Sequence, residues 1–156
     1  MFRKSLILAA TALGLTVIPG ASITAAGAIS GSQKQGAIAV DGYDVVSFFG
    51  EGNRPIAGSA QFTIPLEGEL YRFATQANAD AFKADPTAYL PRYGGHCAWA
   101  AAQGYIAPGD PKFATVVDGK LYFNYNAKVQ ADWSKDIPGF ITNADRNWPN
   151  IASENS

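Results

Sequence analysis

Phe113-Ala114-Thr115-Val116-Val117-Asp118-Gly119-Lys120-Leu121-Tyr122-Phe123-Asn124 sets two runs rich in β-branched and aromatic residues on either side of Asp-Gly. Asp-Gly between such runs is the strongest short-range hairpin signal, so the stretch predicts two antiparallel strands and a tight turn. Upstream, Gln61 to Leu66 and Leu70 to Ala74 flank Glu67-Gly68-Glu69, predicting a second hairpin with a three-residue loop. There Tyr71 and Phe73 share one strand face and Arg72 takes the other.

Helical signals lie around the hairpins. Thr75 is a natural N-cap for a helix carrying Ala77, Ala81 and Phe82 toward the core and ending before Pro86. A short helix is predicted from about Cys97 to Gln103, stopped by Gly104. Asn126 caps a helix over Ala127 to Lys135, and Pro138-Gly139 separates it from a last helix near Phe140 to Asn147. Val45-Val46-Ser47-Phe48-Phe49 reads as a short buried strand or extended segment. No internal repeat is expected. The predicted fold class is α+β, a small single domain with two antiparallel β-hairpins and several short helices.

The N-terminus reads as a targeting segment. Arg3 and Lys4 precede an uncharged apolar run from Leu6 to Ile18, and Ala26-Gly27-Ala28 fits an A-x-A cleavage site. The run is short for a membrane span and is broken by Pro19-Gly20. The expected organisation is a cleaved signal peptide over 1–28, a flexible leader over 29–38, a domain over 39–150 and a disordered tail over 151–156. Cleavage would leave no stable membrane anchor and would deliver the chain to a bacterial periplasm. It would also remove Arg3 and Lys4, leaving ten basic against thirteen acidic residues. That balance argues against a nucleic-acid partner.

The single histidine and the single cysteine are adjacent, in Tyr93-Gly94-Gly95-His96-Cys97-Ala98. A lone cysteine in an exported chain cannot form an internal disulfide, so it is buried, metal-bound or paired with another molecule. At a helix start, a thiolate beside an imidazole suits Cu(I) or Zn(II). His96 and Cys97 could meet one ion only in a turn or at a helix start, because neighbours diverge elsewhere. Two ligands do not complete a tetrahedral site; a carboxylate such as Asp44, a tyrosine, water or a homodimer partner could supply the rest. The competing reading makes Cys97 a small apolar core residue. For Asp44, the competing reading is a turn cap before the Val45–Phe49 run. No phosphate loop, zinc-protease motif, nucleophile elbow or C-x-x-C is present, which favours binding over catalysis.

Gly42-Tyr43-Asp44-Val45-Val46-Ser47-Phe48-Phe49, the series Tyr71-Arg72-Phe73-Ala74, Asn78, Phe82, Asp85-Pro86 and Tyr89, and later Asp118-Gly119-Lys120-Leu121-Tyr122 resemble YHS-domain proteins, relatives of the TRASH domains. The resemblance spans about Ala39 to Pro149 and implies heavy-metal handling. Copper is the expected ion, with zinc and nickel as alternatives. Metal-binding members use several cysteines, and this chain has one. The sequence therefore predicts a periplasmic protein binding a soft metal through Cys97, with His96 and Asp44 as further candidate ligands. The alternatives are a non-catalytic module for a partner or small ligand with a structural Cys97, and a thiol redox role.

Overall fold

A computed structural model describes residues 36–154. The predicted signal peptide and the first part of the leader lie outside the described residues. The fold is a small α+β domain of two sheets and four α-helices. In the first sheet β1 (Ala37–Ile38) pairs parallel with β3 (Glu69–Phe73), which pairs antiparallel with β2 (Ser59–Leu66). The second sheet is the hairpin of β4 (Asp110–Val117) and β5 (Lys120–Asn124). The helices are α1 (Gln76–Ala84), α2 (Ala98–Ala102), α3 (Ala127–Trp133) and α4 (Ile137–Glu154).

Both hairpins turn on two residues with positive φ, Glu67 (51°) with Gly68 (86°) and Asp118 (49°) with Gly119 (69°). The first turn is thus one residue shorter than predicted, since Glu69 already pairs in β3. Thr75 and Asn126 cap α1 and α3 as expected, accepting from Asn78 N and Val129 N.

The two hairpins belong to an internal repeat, which overturns the expectation of none. Val40, Asp41 and Gly42 are left-handed in sequence, as are Tyr93, Gly94 and Gly95. After each triplet an extended residue bridges a later loop, Tyr43 to Ala57 and His96 to Pro108. The next backbone N–H closes the loop, Asp44 N to Ile56 O (2.8 Å) and Cys97 N to Ala107 O (2.9 Å). Asp44 and Cys97 then occupy the N-cap positions of short helical turns, Val45–Phe49 and α2. Each unit continues with a glycine, a bulged hairpin of the same register and a capped helix. Ser59 opposite Phe73 matches Asp110 opposite Asn124, and Thr63 opposite Arg72 matches Ala114 opposite Phe123. Even the aromatic anchors correspond: Tyr71 stacks on Phe82 as Tyr122 packs on Trp133.

Several local expectations are corrected. Val45–Phe49 is a 3-10 turn rather than a strand. The Asp44 side chain accepts from Val46 N and Ser47 N while Ser47 Oγ donates to Asp44 O at 2.6 Å, and this local bonding overrides the β preference of the side chains. In α1 the buried alanine is Ala79, and Ala77 is exposed. Pro138-Gly139 does not divide helices: α4 starts at Ile137, and proline is tolerated in a first turn whose N–H groups are unpaired anyway. Gly139 N donates to Asp136 Oδ1, and a Cβ there would strike that carboxylate. The tail expected from 151 is helical to Glu154, and Ile151 is buried. The last leader residues, Ala37–Ile38, are strand β1.

Each unit has its own core. The first gathers Val45, Phe48, Tyr71, Phe73 and Phe82, closed from the other unit by Leu121 and Phe123. The second gathers Tyr93, Ala98, Ala101, Tyr122 and Trp133, covered by Ala144 and Ile151 of α4.

Candidate functional site

Asp44 is fully buried and its carboxylate accepts four hydrogen bonds. Oδ1 takes Val46 N (2.9 Å) and Ser47 N (3.3 Å); Oδ2 takes Ala74 N (2.9 Å) and Asn78 Nδ2 (2.6 Å). A buried carboxylate needs such donors, and here they tie the 3-10 turn, the end of β3 and α1 together. This is the turn-capping arrangement that the sequence offers as the alternative to metal ligation.

His96 and Cys97 diverge. Both have extended backbone, His96 at φ −73°, ψ 163° and Cys97 at φ −61°, ψ 117°, so their side chains leave on opposite sides. Cys97 is the N-cap and not part of the first helical turn, since α2 starts at Ala98, one position later than predicted. The His96 ring faces Trp148, 5.7 Å between centroids. Its Nδ1 lies 2.9 Å from Tyr93 O. A carbonyl only accepts, so Nδ1 carries a proton and donates to it.

Cys97 is buried in the opposite direction, its Sγ 3.8 Å from Asn124 Oδ1. The same oxygen accepts from Trp99 N at 3.4 Å. Asn124 is fully buried, and its Nδ2 has no partner among the described residues. Asn124 was not singled out from the sequence. The signal available was a short polar side chain where the apolar run of β5 ends, in a unit whose counterpart residue is Phe73.

Among the described residues no group of three or more His, Cys, Asp and Glu side chains could hold a metal ion. Asp44 sits in the first unit, bonded to its own donors, while His96 and Cys97 sit in the second. Beside them a small electrostatic cluster joins α4 to the triplet: Tyr93 Oη donates to Asp145 Oδ1 at 2.9 Å, with Arg92 at 3.3 Å from the same oxygen. Burial, reinforced by that bond, pushes the Tyr93 hydroxyl pKa well above its ordinary value.

The first unit carries an open groove of about 580 Å³. Val46, Phe49, Ile56 and Tyr89 supply its apolar lining, and Glu51, Arg54 and Asn78 its polar groups. Ile56 is half exposed there. Phe49 and Tyr89 meet edge-to-face with centroids 5.3 Å apart. Asn78 Nδ2 donates one of its two hydrogens to Asp44, so the amide oxygen and the second hydrogen are left for a ligand.

No family model, no curated protein and no solved structure matches the chain. No helix among the described residues is long and apolar enough to cross a membrane.

Proposed function

We propose that this protein is a non-catalytic, YHS-like binding module of the bacterial periplasm that takes a small ligand in the groove of its first unit. The observation that carries this reading is the groove itself, a mostly apolar concavity of about 580 Å³ with a few polar groups. Its volume falls within the range of small-molecule sites. The divergence of His96 from Cys97 and the commitment of Asp44 to four donors point the same way, since the candidate metal ligands do not converge. Amide NMR spectra of the protein, recorded against a library of small organic molecules and then against Cu(I), Zn(II) and Ni(II), test it. The expected outcome is ligand-dependent shifts clustered at residues 46–56 and 89. Shifts clustered instead around residues 96–99 with metals alone would overturn it.

A second reading keeps Cys97 as the thiolate ligand of a soft ion, with a second copy of the chain completing the set. Its support is the unpartnered amide nitrogen of Asn124, a donor beside the thiol that would stabilise a thiolate. Chelator competition with wild type beside Cys97→Ser separates the readings: equal metal affinity removes the thiolate from the proposal. Amino-terminal sequencing of protein from a periplasmic fraction tests the compartment, with a start near Ile29 expected.

A further inference from the structure

The repeat identifies what the groove lacks. Two positions after each N-cap, the first unit has Val46 and the second has Trp99. Trp99 packs its indole against the second core and meets Tyr105 edge-to-face, with centroids 6.4 Å apart and planes at 81°. Val46, its counterpart, lines the groove beside Phe49 and Tyr89, themselves crossed at 90°. The two positions share the N-cap spacing and the loop closure, from Asp44 N to Ile56 O and from Cys97 N to Ala107 O, although Val46 stands in a 3-10 turn and Trp99 in an α-helix. A valine thus stands in the groove where the second unit has a tryptophan, beside the rings of Phe49 and Tyr89.

We infer that the groove binds a small planar aromatic compound carrying a carboxylate, of the aryl- or indolyl-acetate type, with its ring where the second unit places the Trp99 indole. The inference rests on the binding-module reading and names the ligand class for it. Phe49 and Tyr89 offer ring faces and edges to a bound aromatic, a contact geometry that favours flat rings over saturated ones of similar area. The Asn78 amide oxygen is an acceptor for a ring N–H. Arg54 forms no ion pair among the described residues. It lies on the rim, its chain folded over Gly52, and its guanidinium suits a carboxylate. Glu51 on the same rim disfavours ligands with two negative charges.

Isothermal titration and amide NMR with three probes test the assignment: indole, indole-3-acetate and cyclohexylacetate. Indole-3-acetate is expected to bind most tightly and cyclohexylacetate at least about tenfold more weakly, with shifts confined to the groove. Arg54→Gln should weaken indole-3-acetate about tenfold and leave indole unchanged. Val46→Trp, which supplies the missing indole covalently, should abolish binding of both aromatic probes. If that variant fails to fold, the selectivity among probes on wild type and the Arg54→Gln result decide alone. Equal affinity for the saturated and aromatic acids, or no binding of either indole at about 1 mM, overturns the inference. Should other small molecules then shift the groove residues, the binding-module reading stands and only the ligand class falls. Should none do so, both fall.

Discussion

The two repeated units share a left-handed triplet and a hairpin register and solve the same capping problem with different side chains. In the first, a single carboxylate at the N-cap, Asp44, gathers donors from the 3-10 turn, β3 and α1. In the second the N-cap is Cys97, which makes no side-chain cap bond, and the acceptor for Trp99 N comes across from β5 as Asn124 Oδ1. Phe73 in the first unit and Asn124 in the second stand at the same strand position. The acceptor has moved from the turn to the strand, and this frees the N-cap side chain from structural duty. That is why the lone cysteine can sit at a helix start without serving as a cap.

The largest test of this contrast is removal of each N-cap side chain. Asp44→Ala strands two backbone donors, Val46 N and Ala74 N, and the Asn78 amide in a closed core, while Ser47 N keeps Asp44 O, and unfolding in urea should show a loss of about 4 kcal/mol or more. Cys97→Ala removes one small buried group and leaves Asn124 to serve Trp99 N, so its loss should be about 1 kcal/mol. Equal losses would mean that the two N-caps do the same work, and the contrast would be gone.

The units should agree where they share backbone. A Cβ on Gly58 would strike the Arg72 backbone, its side-chain Cβ included, and one on Gly109 would strike Gly95 O and the Phe123 Cβ at 2.8 Å. Gly58→Ala and Gly109→Ala are each expected to cost about 2–3 kcal/mol, since the opposing atoms are backbone and cannot swing away. A tolerated alanine at one site only would show that the two hairpins approach their turns differently.

Much of this fold is legible in the sequence, and what is not has specific causes. The hairpins were readable because Glu67-Gly68 and Asp118-Gly119 signal tight turns between β-rich runs. The caps Thr75 and Asn126 were readable because their short side chains reach N–H groups of the next turn. The repeat was hidden because its units share few identities, chiefly Gly-x-Leu-Tyr after each turn and the aspartates Asp85 and Asp136. Its conserved element is a run of positive φ values, carried by Val40-Asp41-Gly42 once and Tyr93-Gly94-Gly95 once, and composition alone does not reveal that. The 3-10 turn at Val45–Phe49 was missed because its cause is one side chain, Asp44, overriding five side-chain preferences. At the site, the sequence correctly placed His96 and Cys97 side by side, but their divergence depends on both backbones being extended. The groove was not legible because its lining comes from residues 46–56, Asn78 and Tyr89, which only the fold brings together.

A smaller effect sharpens the exchange of acceptors between turn and strand. Asn124→Phe should destabilise the second unit by leaving Trp99 N unpaired, and Cys97→Asp should destabilise it by burying a carboxylate with Val129 where the first unit has Asn78. Together the substitutions restore part of the chemistry of the first unit, because the new carboxylate would accept from Trp99 N while Val129 offers no counterpart to the Asn78 amide. A double-mutant cycle should show the pair recovering about 1–2 kcal/mol relative to the sum of the singles. Strict additivity would show that Cys97 and Asn124 are unrelated substitutions.

The smallest effect concerns the first residue of the second hairpin strand in each unit, which is Glu69 in one and the exposed Lys120 in the other. Glu69 is buried and its Oε2 has no partner, and the Oη of Tyr71 on the same strand face is also unpartnered. Burial, and then the neighbouring Glu67, push the Glu69 carboxyl pKa above its ordinary 4.5. The folded state therefore holds this proton more firmly than the unfolded chain does. Its contribution to stability is full below pH 4.5 and is lost as pH rises through the higher folded value. At neutral pH the ionised carboxylate works against folding, beside an orphaned hydroxyl that cannot relieve it fully. Glu69→Gln should accordingly be more stable than wild type at pH 7, and the gap should close as pH falls below 4.5. Urea midpoints measured from pH 4 to 8 would show the convergence. A gap independent of pH would place its cause in packing, and the difference between the units at this position would then be one of shape and not of charge.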